Sequence, residues 1–322
     1  MRPLPGHLPA APVIPGAAPW DLGLALEAED GVALRAALWN PGGPRGLALY
    51  LSGRTEFLEK GAMVAAALAA RGYAVASLDW RGQGLSERLT PERMRGHVDS
   101  FDAFSRDLAA LLAAPEVARE GPVRLAVCHS MGCAIALGAV AAGMLAPGAL
   151  VLSGPMAGIG FPWIVDRSAR VASRLARAAG LAKRWPPMPN PSEVYVLRPF
   201  EGNCLTHDPA LYGWQGDACR AVPDLGLGLP TLGWVAAAYD RMAMMRRLKP
   251  LPLPVQVLLG TREGVVSPVA ARALATRLDA RLDLIEGAKH DLFTEATPQR
   301  DAVWQAIDGF LERLPPREAA AR

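Results

Sequence analysis

Apolar residues recur along this chain in two rhythms. Short, nearly continuous runs at 47–51, 73–78, 123–128, 150–153, 255–259 and 282–285 read as strands buried on both faces. Between them lie stretches whose apolar positions return every three or four residues, at 57–70, 100–114, 133–140, 268–278 and 298–314, and these predict helices. Upstream, 24–29 and 32–39 are strand-like and meet at Asp30-Gly31, a hairpin signal. Repeated strand–helix units predict an α/β fold: a mostly parallel central sheet with helices on both faces. The rhythm breaks between 154 and 239, where prolines and aromatics accumulate. One helix is expected there, over 165–179, with Arg170, Arg174 and Arg177 on a solvated face. This stretch reads as an inserted cap that divides the core into 21–153 and 240–314. Residues 1–20, with six prolines, read as an extended arm, and 315–322 as a tail.

Composition narrows the possible functions. In 322 residues, 51% are hydrophobic, ample for a core, and the net charge of +3 comes from scattered basic residues. No stripe of Lys and Arg interleaves with aromatics, so nucleic acid is not expected as a partner. A weak, transient contact with anionic membrane lipid fits the charge. The cysteines, Cys128, Cys133, Cys204 and Cys219, have no metal-ligand spacing. The longest apolar run, 62–70, is far short of a membrane span, and the proline-broken start lacks the core of a signal peptide. The expected location is cytoplasmic.

The chemistry gathers after the strands. Between the run at 123–128 and the helix-favouring run at 133–140 stands His129-Ser130-Met131-Gly132. A serine at such a junction, with glycine two residues on, is the nucleophile-elbow pattern. Cys128 stands where glycine is usual, and its small side chain predicts a slightly crowded elbow. A serine hydroxyl needs a base, and His290 follows the last strand, where this architecture delivers one. His129 adjoins the serine but points away in an elbow, His207 falls in the cap, His97 lies before a helix and His7 lies in the arm. The chain order Ser…Asp/Glu…His calls for a carboxylate between the two, and Glu263 stands just past a strand end. Asp279, Asp283 and Asp291 read as surface or helix-end charges. For the developing oxyanion, the amides of Met131 and of Arg54, after Ser52-Gly53, are the expected donors. Gly82-Gln83-Gly84 reads as a structural turn. No phosphate loop, metal triad or dinucleotide fingerprint is present in the sequence, so neither cofactor nor metal is expected.

With these residues in place, the chain resembles the α/β-hydrolase superfamily. Within it, the resemblance is to the lysophospholipase and monoacylglycerol-lipase group, also labelled serine aminopeptidase S33. SGRTEFLEKG (52–61), RGYAVASLDWRGQGLS (71–86), CHSMGCAIAL (128–137) and GAKHDLFTEATPQRDAVW (287–304) carry it in the core. GNCLTHDPALYGW (202–214) and LPTLGWVAAA (229–238) carry it in the cap, and look like bacterial lysophospholipases of the L2 kind. The resemblance implies Ser130 as nucleophile, Glu263 as acid, His290 as base, and Arg54 and Met131 as oxyanion amides. Ser52 stands where histidine is common, and Glu263 where aspartate is usual.

The expected activity is hydrolysis of acyl esters, of lysophospholipids or monoglycerides, without a cofactor. His129, Trp163, His207, Trp214 and Trp234 are candidates to line the substrate pocket. One rival is an aminopeptidase, with Glu193, Glu201, Asp208, Asp217 or Asp224 holding a free amino terminus. The other is a ligand-binding protein that keeps the fold without the chemistry.

Overall fold

The computed structural model describes residues 12–314, so the start of the arm and the tail from 315 lie outside the described residues. The apolar runs form one eight-stranded sheet, in the order β1-β2-β4-β3-β5-β6-β7-β8. The strands are β1 Leu22–Glu27, β2 Ala33–Trp39, β3 Leu47–Leu51, β4 Ala74–Leu78, β5 Val123–His129, β6 Leu150–Ser153, β7 Val255–Gly260 and β8 Arg281–Ile285. β1 and β2 form the expected antiparallel hairpin, β2 pairs antiparallel with β4, and every later pairing is parallel.

Continuous apolar runs become central strands because both faces must be covered. In β3, Leu47, Leu49 and Leu51 enter one core layer, while Ala48 and Tyr50 enter the other. The first layer is closed by α2 (Asp102–Ala113), α4 (Met131–Ala141), α7 (Leu232–Met245) and α8 (Pro268–Leu278). The second is closed by α1 (Leu58–Ala70) and α9 (Thr297–Leu311). A short helix, α3 (Pro115–Ala118), follows α2.

Between β6 and β7 the chain makes the long excursion expected, with α5 (Trp163–Ala178), α6 (Pro209–Ala221) and α7. The limit expected at 239 falls inside α7, whose apolar side packs into the main core at Ala237, Ala238 and Met242. The expected helix over 165–179 is α5, and its arginines are partly exposed, as expected, but each has a partner. Arg174 and Arg177 reach Asp240 on α7 at 2.6 and 2.8 Å, and Arg170 pairs with Asp166 and lies over the Tyr239 ring. The most exposed side is apolar: Ile164, Val171 and Leu175 are 59%, 51% and 65% exposed. Nor is the described end of the arm loose. Ile14 and Trp20 are buried, and the Ile14 amide donates to the Glu59 carbonyl at 3.1 Å.

Candidate active site

Ser130 is the single residue between the end of β5 and the start of α4. Its backbone sits at φ 50° and ψ −112°, a conformation that side chains rarely adopt. The turn is this tight because the strand and helix cross close to β3: a Cβ on Gly132 would lie 2.0 Å from the Leu51 carbonyl oxygen. Only glycine fits there, which is the elbow pattern in atomic terms. Cys128 fills its place without an exposed atom.

The structure brings three residues together at the carboxyl edge of the sheet. His290 Nε2 lies 3.0 Å from Ser130 Oγ, and His290 Nδ1 lies 2.7 Å from Glu263 Oε2. Glu263 follows β7, and its Oε1 accepts the amides of Val265 and Val266 at 2.7 and 3.1 Å. Burial works against ionising that carboxyl. The hydrogen bond and charge of His290 and the two amides outweigh it, so its pKa lies below the ordinary value. The three groups are thus aligned so that a proton leaving the hydroxyl has an imidazole to receive it and a carboxylate to hold the ring.

Arg54 and Met131 stand where the oxyanion donors were expected, and neither amide donates to another group of the described chain. Gly53 lies so close to the elbow that a Cβ there would be 3.2 Å from Ser130 Cβ. The loop from 52 to 56 is held from below. Trp80 Nε1 donates to the Ser52 carbonyl at 3.0 Å, and Gln83 Nε2 donates to the Gly53 carbonyl at 2.9 Å. The turn around Gln83 is therefore structural, as expected, and its structural work is to support the reacting edge.

Behind Ser130 lies a buried charged cluster that sequence reasoning missed. Lys60 Nζ bonds both Glu56 Oε1 and Asp291 Oδ2, and the Gly53 amide donates to Glu56 Oε2. Asp291, expected as a surface charge, is 2% exposed. Burial opposes its ionisation, but the charge and hydrogen bond of the Lys60 ammonium bring its pKa down to about 2. Glu56, His129 and Asp291 could hold a metal ion by geometry, with ligand atoms within 4.8 Å of one another. The Lys60 ammonium already bonds two of them, and does the work a cation would do there. The cluster ties the loop at 53–56 to the loop carrying His290, which sequence separation alone does not reveal.

His129 is buried, its ring 4.9 Å from that of His290, and burial holds its pKa below the ordinary imidazole value. It lines a cavity of about 310 Å³ above Ser130, with Trp234, Met156, Tyr195, Leu227 and Val266. Three candidate pocket residues lie elsewhere. Trp163 is 74% exposed at the start of α5 and lines a separate crevice with Tyr239 and Arg246. His207 Nδ1 is 2.9 Å from Glu295, a partner that turns it away from the cavity. Trp214 packs its ring against Phe57 at 6.1 Å, behind the cavity wall. His97 is buried and bonds Thr231 Oγ1 at 2.7 Å, a structural tie between core and cap.

A mostly parallel sheet of this order, with a serine elbow on its central strand, defines an α/β-hydrolase. Comparison with known proteins narrows this: the chain belongs to the serine aminopeptidase S33 family, whose model matches residues 42–297. It is a lysophospholipase-like hydrolase. The probable lysophospholipase L2 of Haemophilus influenzae is 26% identical over 269 residues, covering 83% of this chain and 84% of that protein. Lysophospholipase L2 of Escherichia coli K12 is 28% identical over 284 residues, covering 81% and 78%. Among solved structures, a soluble variant of the monoglyceride lipase of Saccharomyces cerevisiae superposes with a TM-score of 0.67 at 19% identity, over 91% of this chain and 97% of that one. A carboxyl esterase of Bacillus coagulans gives a TM-score of 0.71 at 16% identity, over 91% and 98%.

Proposed function

We propose that this chain is a serine ester hydrolase acting on acyl esters of glycerol, with lysophospholipids or monoglycerides as substrates. Ser130 Oγ attacks the acyl carbonyl and passes its proton to His290 Nε2. His290 then gives that proton to the departing alcohol. Glu263 holds the imidazole with Nδ1–H toward itself, and the amides of Arg54 and Met131 receive the oxyanion. Water, activated by the same imidazole, releases the acyl group and restores the serine. The observation that carries this reading is the continuous relay Glu263–His290–Ser130, at 2.7 and 3.0 Å.

The cavity chemistry favours an ester over a peptide. Of the five cap carboxylates that could hold a free amino terminus, Glu193 lines the cavity, and Arg198 Nε already donates to it at 2.8 Å. The remaining wall is largely apolar, as an acyl chain requires.

The same reading sets the enzyme against a membrane surface in the cytoplasm. The outward stripe of Ile164, Val171 and Leu175 would enter the lipid boundary, and exposed Arg167, Lys183 and Arg184 would face anionic head groups. No described helix is long and apolar enough to cross a membrane.

A fluorophosphonate probe and a substrate panel test the proposal together. The native chain is expected to take up the probe and to hydrolyse acyl glycerol esters far faster than aminoacyl amides. Ser130→Ala is expected to do neither. Equal labelling of both proteins, or a preference for amides, overturns the reading.

A further inference from the structure

Two residues that line the cavity over Ser130 carry a buried polar nitrogen with no hydrogen-bond partner. Arg54 Nη2 donates to the Gly228 carbonyl at 2.5 Å, and its guanidinium carbon lies 5.5 Å from the centre of the Trp234 ring. Arg54 Nε is buried without a hydrogen-bond partner, and none of the described ion pairs includes this residue. Burial with no counter-charge pulls its pKa down to about 9. Gln215, on α6, is 3% exposed, and its Nε2 is likewise buried without a partner. Both residues line the cavity that holds Ser130 and His290.

The other charges on this wall are matched. Lys60 is held by Glu56 and Asp291, and Glu193 is held by Arg198. What remains on the lining of this cavity is one uncompensated cation and one idle amide donor. Leaving such groups buried is unfavourable unless a ligand completes them. A guanidinium offers a rigid fork of donors that suits phosphate and carboxylate oxygens.

We propose that the Arg54 guanidinium and the Gln215 carboxamide form a receptor for an anionic oxygen group, the phosphodiester of a lysophospholipid, beside the ester that Ser130 attacks. The proposal rests on the ester-hydrolase reading and adds to it. The phosphodiester and the sn-1 ester of a lysophospholipid sit on the two ends of one three-carbon glycerol, so a single cavity can take both. One residue would then read both ends of the substrate, its amide meeting the oxyanion and its side chain the phosphate. A monoglyceride would leave the receptor empty.

The test compares 1-lauroyl lysophosphatidylglycerol with 1-lauroylglycerol, both below their aggregation concentrations. The readout is the ratio of the two kcat/KM values, which cancels any effect on the shared chemistry. Arg54→Met is expected to lower that ratio tenfold or more, mainly through KM for the phospholipid. Arg54→Lys is expected to recover part of the loss, and Gln215→Leu to lower the ratio several-fold. A ratio unchanged within twofold in Arg54→Met and Gln215→Leu, with folding verified by circular dichroism, overturns the proposal. Calorimetric titration of Ser130→Ala with dodecyl phosphate and dodecanoate separates substrate phosphate from product carboxylate. Adding Arg54→Met is expected to weaken the phosphate tenfold or more, and loss of dodecanoate affinity alone overturns the phosphate assignment. Should the native chain hydrolyse neither lipid, the ester-hydrolase reading fails, while the titration still reads the receptor.

Discussion

At Ser130 the backbone carries a conformation that costs about 1–3 kcal/mol, and the packing of Gly132 against Leu51 holds it there. The residues around it differ in how far sequence exposes them. Ser130, Glu263 and His290 each stand just after a strand, so their positions are legible from strand ends and chain order. Lys60 and Asp291 are not legible, because a buried ion pair spanning 231 positions leaves no local pattern. Glu263→Gln tests the role of the carboxylate. To keep the amides of Val265 and Val266, the new side chain must turn its NH2 toward His290 Nδ1. That forces the tautomer whose Nε2 already carries a proton and cannot accept one from Ser130. The expected result is a fall in kcat of about 10³- to 10⁴-fold with near-native melting, read by ester turnover and circular dichroism. A second prediction concerns pH. The pKa values of Glu263 and Asp291 are both depressed by folding, so their stabilisation is present above the unfolded carboxylate range. It is lost as pH falls through the folded values, toward about 2 for Asp291. Urea unfolding from pH 6 to pH 3 should show the native chain losing stability with acid. Asp291→Asn should start lower and fall less steeply, by an amount on the order of 1 kcal/mol over that range.

Among the elements, the strands were the easiest to read, since uninterrupted Val, Leu and Ala runs admit few other fates. The cap was the hardest. Its prolines and aromatics mask α6 and α7, although Asp208 before Pro209 and Thr231 before Leu232 are helix-start signals that the sequence does carry. Asp208 accepts the amides of Ala210 and Leu211, and Thr231 accepts that of Trp234. The apolar stripe of α5 is hard to read from sequence for a different reason. Arg174 and Arg177 share Asp240 on α7, which leaves the apolar stripe as the most exposed side. If that stripe meets lipid, Ile164→Ser with Leu175→Ser should reduce partitioning onto vesicles of anionic phospholipid about tenfold or more. Turnover of a water-soluble short-chain ester and the melting temperature should stay near native. Vesicle sedimentation reads the first, and equal sedimentation of both proteins would remove α5 from the membrane contact.

The whole molecule places its reacting groups on strands of unequal security. β5, which carries Ser130, lies in the interior of the sheet between β3 and β6. β8, which leads to His290, is an outermost strand, paired on one side, with Leu284 44% exposed. Overall architecture was legible because parallel order follows from the alternation of strands and helices. Which strand becomes an edge was not, since that depends on how the chain crosses over. The difference has a consequence for heat tolerance. Edge strands open more readily than central ones, so the imidazole should leave its post while the hydroxyl is still fixed. Warming should therefore switch the enzyme off several degrees before the fold is lost, reversibly, with turnover falling ahead of the circular-dichroism transition. The buried lysine clamp at Asp291 sets the width of that gap: cutting it with Lys60→Met should move the loss of activity down further than the loss of structure.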